Sequence, residues 1–319
     1  MKIDVSIVFP TFNRKDLAVK ALRSIIKYTK GINYEIIVVD DGSSDGTPEE
    51  IKKQFPKDVK LLVNKKNMGP LFADNRGFKQ SKGKYLIIYD NDVFLESNVL
   101  KKMMDYMEEN KDVGVCGCKV VGKDRDFQRS MGNVILPNYK TILYSIIDRL
   151  VPNNKITETW KESEEAHENI TETACIKCTC GMMRREAVRE VGLFDEQYFM
   201  YVDEIDWMYR FTKKGWKIMH LPYGPVMHYG GTSGIHNNNQ RRAEKFELLA
   251  FKNIILFYKK HYGFLSSIGY RIWMFPLKLK DLVKDIIKKD KEEFKIDFKK
   301  LGTLFSQVEN NPEEGQLKD

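Results

Sequence analysis

The sequence predicts an α/β fold: a mostly parallel central sheet flanked by helices, with a basic helical C-terminal extension. Three observations carry this. Over the first third of the chain, short β-branched and aromatic runs alternate with segments spaced for one helix face, as in sheets covered by helices. Two of those runs end directly in acidic segments, Asp40–Thr47 and Asp90-Asn91-Asp92. Finally, the positive charge is uneven: residues 252–300 carry a net +7, residues 301–319 carry −3, and residues 1–251 the remaining +4.

The elements follow in order. Val5–Phe9 reads as a strand buried on both faces. Leu17, Ala18, Ala21, Leu22, Ile25 and Ile26 mark one face of a helix. Glu35–Val39 is a second strand. Thr47-Pro48-Glu49-Glu50 predicts a helix start, with Thr47 as N-cap, Pro48 at the first helical position and Glu50 closing a capping box. Val59–Val63 and Tyr85–Tyr89 supply further strands, with helices after Pro70 and Ser97. The pattern weakens over 119–170, which reads as loops and short helices lining an acceptor site. A second structured block runs from Thr173 to Tyr229. Residues 239–300 read as a basic amphipathic helical extension, and 301–319 as an acidic, solvated tail.

The chain has 319 residues, a formal net charge of +8, 42% hydrophobic and 12% aromatic residues, and five cysteines. That composition excludes wholesale disorder and a disulfide framework. Asp4 and Pro10 break the N-terminal apolar run, so neither a signal peptide nor a spanning segment is expected. The expectation is a cytoplasmic protein.

Several segments carry chemistry. Asp40 or Asp41, leaving a strand, can accept hydrogen bonds from the edge of a base; a turn with a helix cap is the blander reading and the better one for this segment alone. Asp90 and Asp92 are hard oxygen ligands suited to Mg²⁺ or Mn²⁺; an exposed Asx turn capping the helix after Ser97 is the blander reading, and a lone D-x-D is a weak signal. Asp203, Glu204 and Asp206 open a helix in which a carboxylate can act as general base and Asp206 can pair with Arg210; acids complementing the helix dipole are an equally good reading of the helix alone. His228, beside Gly230-Gly231, has the chemistry of a metal ligand, though a lone histidine is usually something more ordinary. Cys175, Cys178 and Cys180 read as buried thiols in preference to zinc ligands.

In combination these segments resemble the family 2 glycosyltransferases. Val5–Arg14, Val39–Thr47, Asn67–Gly69 with Asn75 and Gly77, Gly83–Asp92, Arg184–Glu196 and Asp203–Arg210 follow that family's order and spacing over roughly residues 1–235. The resemblance implies a GT-A-like fold over 1–238. Residues 1–118 would be the nucleotide-binding half and 119–238 the acceptor-binding and catalytic half. It implies an inverting transfer from a nucleotide-sugar donor to a glycan or lipid-linked acceptor, with a divalent cation, Mn²⁺ or Mg²⁺.

By the same resemblance Pro10, Thr11, Asn13, Asp40 and Asp41 would hold the nucleoside. Asn75, Arg76, Asp90 and Asn91 would contact the donor nucleotide, and Arg76 would replace a basic residue that the family places where Asp74 stands. Asp90, Asp92 and His228 would bind the metal, Glu204 would be the base with Asp203 beside it, and Arg241 or Arg242 would meet the diphosphate. The family more often shows Glu-Asp where this chain has Asp203-Glu204. Two other functions fit less well. A sugar-phosphate nucleotidyltransferase would want a Gly-rich basic loop where Pro10-Thr11-Phe12-Asn13 stands. A non-catalytic glycan- or lipid-binding protein would not need Asp90, Asp92, Glu204 and His228.

Leu279, Leu282, Val283, Ile286 and Ile287 repeat at helical spacing among Lys278, Lys280, Lys284 and Lys288, downstream of Tyr270, Arg271, Trp273 and Phe275. Such a segment, 270–290, can lie on an anionic membrane surface at the inner face of the plasma membrane, or pack on the catalytic domain or a second subunit as a homo-oligomer. The charge does not spread as a nucleic-acid stripe, so no nucleic acid is expected.

Overall fold

The structure, a computed structural model, describes residues 2–132, 151, 164–230, 240–289 and 291–306, with helix backbone alone at 240–245 and 291–292. The chain forms β1 (Val5–Thr11), α1 (Lys15–Tyr28), β2 (Tyr34–Asp40), α2 (Thr47–Gln54), β3 (Val59–Val63), α3 (Pro70–Gln80), β4 (Tyr85–Tyr89), β5 (Val93–Phe94), α4 (Val99–Glu109) and β6 (Val113–Val121). Short strands β7 (Phe127–Gln128) and β8 (Met131–Gly132) follow, then a 3-10 turn at Glu165–Glu168, β9 (Thr171–Glu172), β10 (Cys175–Ile176) and β11 (Cys180–Arg184). The remainder is α5 (Arg185–Val191), α6 (Asp203–Lys213), β12 (Lys217–His228), α7 (Gln240–Tyr262), α8 (Phe264–Lys288) and α9 (Lys291–Thr303).

The main sheet has the order β3-β2-β1-β4-β11-β6-β12-β5. Strands β3, β2, β1 and β4 are parallel, as are β6 and β12, while β11 runs antiparallel between β4 and β6. The α/β expectation with a mostly parallel sheet is met. β1, β2 and β4 are buried on both faces at their centres, because helices cover each side; Ile7, Val38 and Ile87 are fully enclosed, while β3 forms the more exposed edge. After β3 the chain crosses to the far side of β1 to make β4. The carboxyl ends of β1 and β4 therefore flank a topological switch point, where open α/β sheets bind ligands.

Two local expectations are corrected. Thr47 is the first helical residue, not the cap: Gly46 precedes it in a left-handed conformation, and the Asp45 carboxylate takes the Thr47 N–H and hydroxyl. Glu50 accepts from Gln54 instead of closing a capping box. Residues 301–304 also belong to the helical region. Helix α9 runs to Thr303 and Leu304 is buried against Phe251 and Ile255, because apolar Leu301 and Leu304 fall on its packed side.

The chain divides into two compact units, Met1–Phe194 with Glu204–Gly230, and Asp195–Asp203 with Gly231–Asp319. The second unit thus begins earlier than residue 239 and takes in the loop 195–203. Buried Asn253 on α7 explains this by donating to Met200 O and Tyr201 O at 2.8 and 2.9 Å. Lys260 pairs with Asp195 at 2.6 Å. Within the same unit Tyr270 of α8 stacks on Tyr258 of α7 at 4.5 Å.

Candidate active site

At the carboxyl ends of β1 and β2, Thr11 and Asp40 are register partners. Asp40 Oδ1 accepts from Gly42 N and Ser43 N, but its buried Oδ2 has no partner, and neither does the buried Thr11 Oγ1. Two orphaned polar atoms on register partners at one sheet end suit a ligand offering both a donor and an acceptor. Asn13 holds the neighbouring turn: it adopts φ +49°, which asparagine tolerates, and its Oδ1 accepts from Ser44 N at 2.8 Å. Across the switch point Asn91 Nδ2 donates to Pro10 O at 3.2 Å. Pro10, Thr11, Asn13, Asp40 and Asn91 are therefore gathered at one sheet end.

Three other expected nucleotide contacts have their groups engaged within the protein. Asp41 is buried and accepts from Asn64 Nδ2 (2.6 Å), Met68 N and Gly69 N (2.8 Å). Burial raises its pKa despite these three donors. Its carboxylate fixes the 64–69 loop. The buried Asn75 amide clamps Phe194, donating to its O at 2.9 Å and accepting from its N at 3.0 Å. Arg76 Nη1 bonds Asn64 Oδ1. The polar groups of Asp41 and Asn75 thus have partners within the protein, unlike Asp40 Oδ2.

Asp90 and Asp92 leave β4, and β5 follows at once. The antiparallel register of β5 with β12 sets His228 opposite Val93, next to Asp92. The ligand atoms of Asp90, Asp92 and His228 lie within 4.8 Å of one another, and Asp92 Oδ1 is 3.4 Å from His228 Nε2. Burial and the neighbouring Asp92 raise Asp90 well above the ordinary carboxylate range, with His228 offsetting part of this. Burial disfavours the charged His228 ring, yet Asp92 and Asp90 outweigh it and raise its pKa. Two crowded carboxylates and an imidazole form a hard donor set that suits Mn²⁺ or Mg²⁺. The sequence reading missed Gln128. Its Oε1 lies 2.9 Å from His228 Nδ1 while its Nε2 donates to His228 O at 3.3 Å. An amide oxygen only accepts, so Nδ1 carries a proton, and Nε2 is the nitrogen turned toward the carboxylates, free to serve as a ligand once it gives up its own proton.

Glu204, at the start of α6, is half-buried, and its Oε1 accepts from Cys178 N at 2.6 Å. One residue on, Thr179 O accepts from Asp90 N at 3.1 Å. The turn between β10 and β11 thus ties the Glu204 carboxylate to the acidic pair. Burial raises the Glu204 pKa, and the Cys178 N–H and the Lys177 charge offset part of the rise. No motif could have disclosed Cys178, because its contribution is a backbone N–H. Asp203 begins α6 but falls in the second unit. Further along α6 the expected Asp206–Arg210 pair forms at 2.9 Å, with Asp206 fully buried. Arg210 also donates to Val191 O and Leu193 O, fixing the turn before Phe194. All five cysteines are buried thiols that form no disulfide. Arg241 and Arg242 lie in the backbone of α7, and their side chains fall outside the described residues.

A family model, Glycosyl transferase family 2, matches residues 6–192. The chain is similar to the N-acetylglucosaminyl-diphospho-decaprenol L-rhamnosyltransferase of Mycobacterium tuberculosis, 26% identical over 208 residues covering 61% of this chain and 66% of that protein. It is also similar to the poly(ribitol-phosphate) beta-N-acetylglucosaminyltransferase TarP of Staphylococcus aureus, 32% identical over 137 residues covering 41% and 42%. An uncharacterized glycosyltransferase of Rickettsia bellii is 38% identical over 108 residues, which span 33% of this chain and only 15% of that protein. Among solved structures, GalNAc-T7 with UDP, GalNAc and Mn²⁺ aligns with TM-score 0.55 at 17% identity, covering 81% of this chain and 48% of that one. At that identity the likeness concerns the fold.

Proposed function

The chain belongs to glycosyl transferase family 2, and on that premise we propose that it moves a sugar from a nucleoside-diphosphate sugar to an acceptor hydroxyl with inversion at the anomeric carbon. The observation that carries this reading is the β10–β11 turn, whose Cys178 N holds Glu204 and whose Thr179 O takes Asp90 N. Base and metal-ligand pair thereby share one support.

The nucleoside lies at the carboxyl ends of β1 and β2, beside the switch point, where the orphaned Thr11 Oγ1 and Asp40 Oδ2 would gain partners. Asp90, Asp92 and His228 would hold a divalent cation, which supplies charge neutralisation for the departing diphosphate. Glu204 takes the proton of the acceptor hydroxyl as its oxygen attacks the anomeric carbon from the side opposite the diphosphate. A raised pKa suits it to this work, since a base poised closer to neutrality transfers protons more effectively. The two named relatives act on a lipid diphosphate-linked sugar and on a poly(ribitol-phosphate). A surface or lipid-linked glycan is accordingly the acceptor class proposed for this chain.

The test is a panel of UDP-, GDP- and dTDP-sugars incubated with the protein, with and without Mn²⁺, reading release of the nucleoside diphosphate. One donor consumed only with the cation supports the reading. No turnover of any donor under either condition refutes it.

A further inference from the structure

Helix α8 has two opposite apolar sides. One packs inside its own unit: Ser267 and Asp285 are buried, and Tyr270 and Met274 join Phe251, Ile255 and Leu304. The other carries Leu265, Ile272, Leu279, Val283, Ile286 and Ile287, which are 43–81% exposed. At i, i+7, i+14, i+18, i+21 and i+22 these six residues fall in one stripe about 100° wide on a helix of 3.6 residues per turn. The stripe spans nearly the full 25-residue helix, about 37 Å. Soluble proteins rarely leave such a continuous apolar surface open without a partner for it.

Along one border of the stripe run Lys280, Lys284 and Lys288, all exposed. No free acid interrupts this row, because the helix's two carboxylates are elsewhere engaged or enclosed: Asp281 pairs with Lys278 at 2.7 Å and Asp285 is buried. Beside the stripe, Phe264, Ile272, Phe275 and Phe305 line a groove of about 650 Å³ that extends the apolar surface toward α9.

We propose that α8 lies in the interface of an anionic lipid bilayer, its apolar stripe toward the acyl chains and its lysine row at the phosphate headgroups. Among the described residues no helix is long and apolar enough to cross a membrane, so the helix lies flat. Charge selects lipid over a second copy of the chain. A second α8 laid on this stripe would bring another lysine row against the first, while the two carboxylates of the helix are paired or buried; anionic headgroups supply the opposite charge. The inference is independent of the sugar chemistry, as none of these residues belongs to the active site.

The test is flotation of the full chain with phosphatidylcholine vesicles, with and without phosphatidylglycerol. The protein is expected to float with the phosphatidylglycerol vesicles at low salt and to be released toward 1 M salt, where the Debye length is about 3 Å. Each of Lys280→Ala, Lys284→Ala and Lys288→Ala should weaken binding about fivefold, and the triple variant on the order of 100-fold. The double variant Ile272→Asp/Val283→Asp should not float, while keeping its circular dichroism and nucleotide binding. Absence of flotation at low salt overturns the proposal, as does undiminished flotation of the double variant. A dimer in sedimentation that the double variant splits also overturns it, because the stripe would then join two copies.

Discussion

Gln128 Oε1 stands 2.9 Å from His228 Nδ1, and the same amide returns a hydrogen bond to His228 O. The two residues are a hundred positions apart, and Gln128 sits on β7, paired with the strand that neighbours β12. This contact orients the imidazole and fixes its tautomer, so Gln128 is a positioning residue. Gln128→Leu is expected to weaken Mn²⁺ binding by about 10–100-fold with little change in nucleotide affinity measured without metal. Calorimetric titration of both ligands checks the split. Equal losses for both would mean general disorder of the site.

Because burial raises the Glu204 pKa, the base is protonated at pH values where an ordinary carboxylate, near pKa 4.3, is still charged. Activity should therefore be lost, as pH falls, above the usual carboxylate range. Lys177 stabilises the charged form, so Lys177→Ala should raise that pKa further and move the acid limb of kcat/KM to higher pH. A limb that stays put or moves down would show that Lys177 does not act on Glu204.

Glu204 and Asp203 are neighbours in sequence, but only Glu204 shares a unit with Asp90, Asp92 and His228. Glu204→Gln should lower kcat by about 10²–10⁴-fold and leave donor KM nearly unchanged. Asp203→Asn should keep most of the turnover. Steady-state kinetics of the two variants decide between them, and the reverse ranking would move the base to Asp203.

Gly77 lies on α3 where the helix meets β1. A Cβ there would overlap Val8 Cγ1, inside a strand buried on both faces. Gly77→Ala should cost about 1–3 kcal/mol through overpacking, read as a lower denaturation midpoint with an unchanged slope.

The carboxylate pairs were legible in the sequence because they stand at strand ends, where loop acids meet ligands. Asp90 and Asp92 needed only the preceding strand Tyr85–Tyr89 to be placed. His228 lies far along the chain and reaches them through the pairing of Met227 and His228 with Phe94 and Val93, a register that no local pattern encodes. Gln128 and the Cys178 N–H stayed hidden for a different reason: an amide or a backbone donor acquires its role only from what packs beside it. Asp40 and Asp41 show the limit most clearly. Spacing alone treats them alike, yet Asp40 keeps a buried oxygen without a partner while Asp41 accepts from three groups of the 64–69 loop. The tail boundary failed similarly, since the burial of Leu304 depends on α7 and not on its acidic neighbours.

The most direct test of the account is a Mn²⁺ titration followed by electron paramagnetic resonance, in the presence of the nucleoside diphosphate that most stabilises the protein. The wild-type chain should take up one Mn²⁺, and Asp90→Asn, Asp92→Asn and His228→Ala should each weaken that uptake at least tenfold without unfolding the protein. Unchanged Mn²⁺ affinity in all three variants would contradict the assignment of these side chains as the metal centre of the transferase.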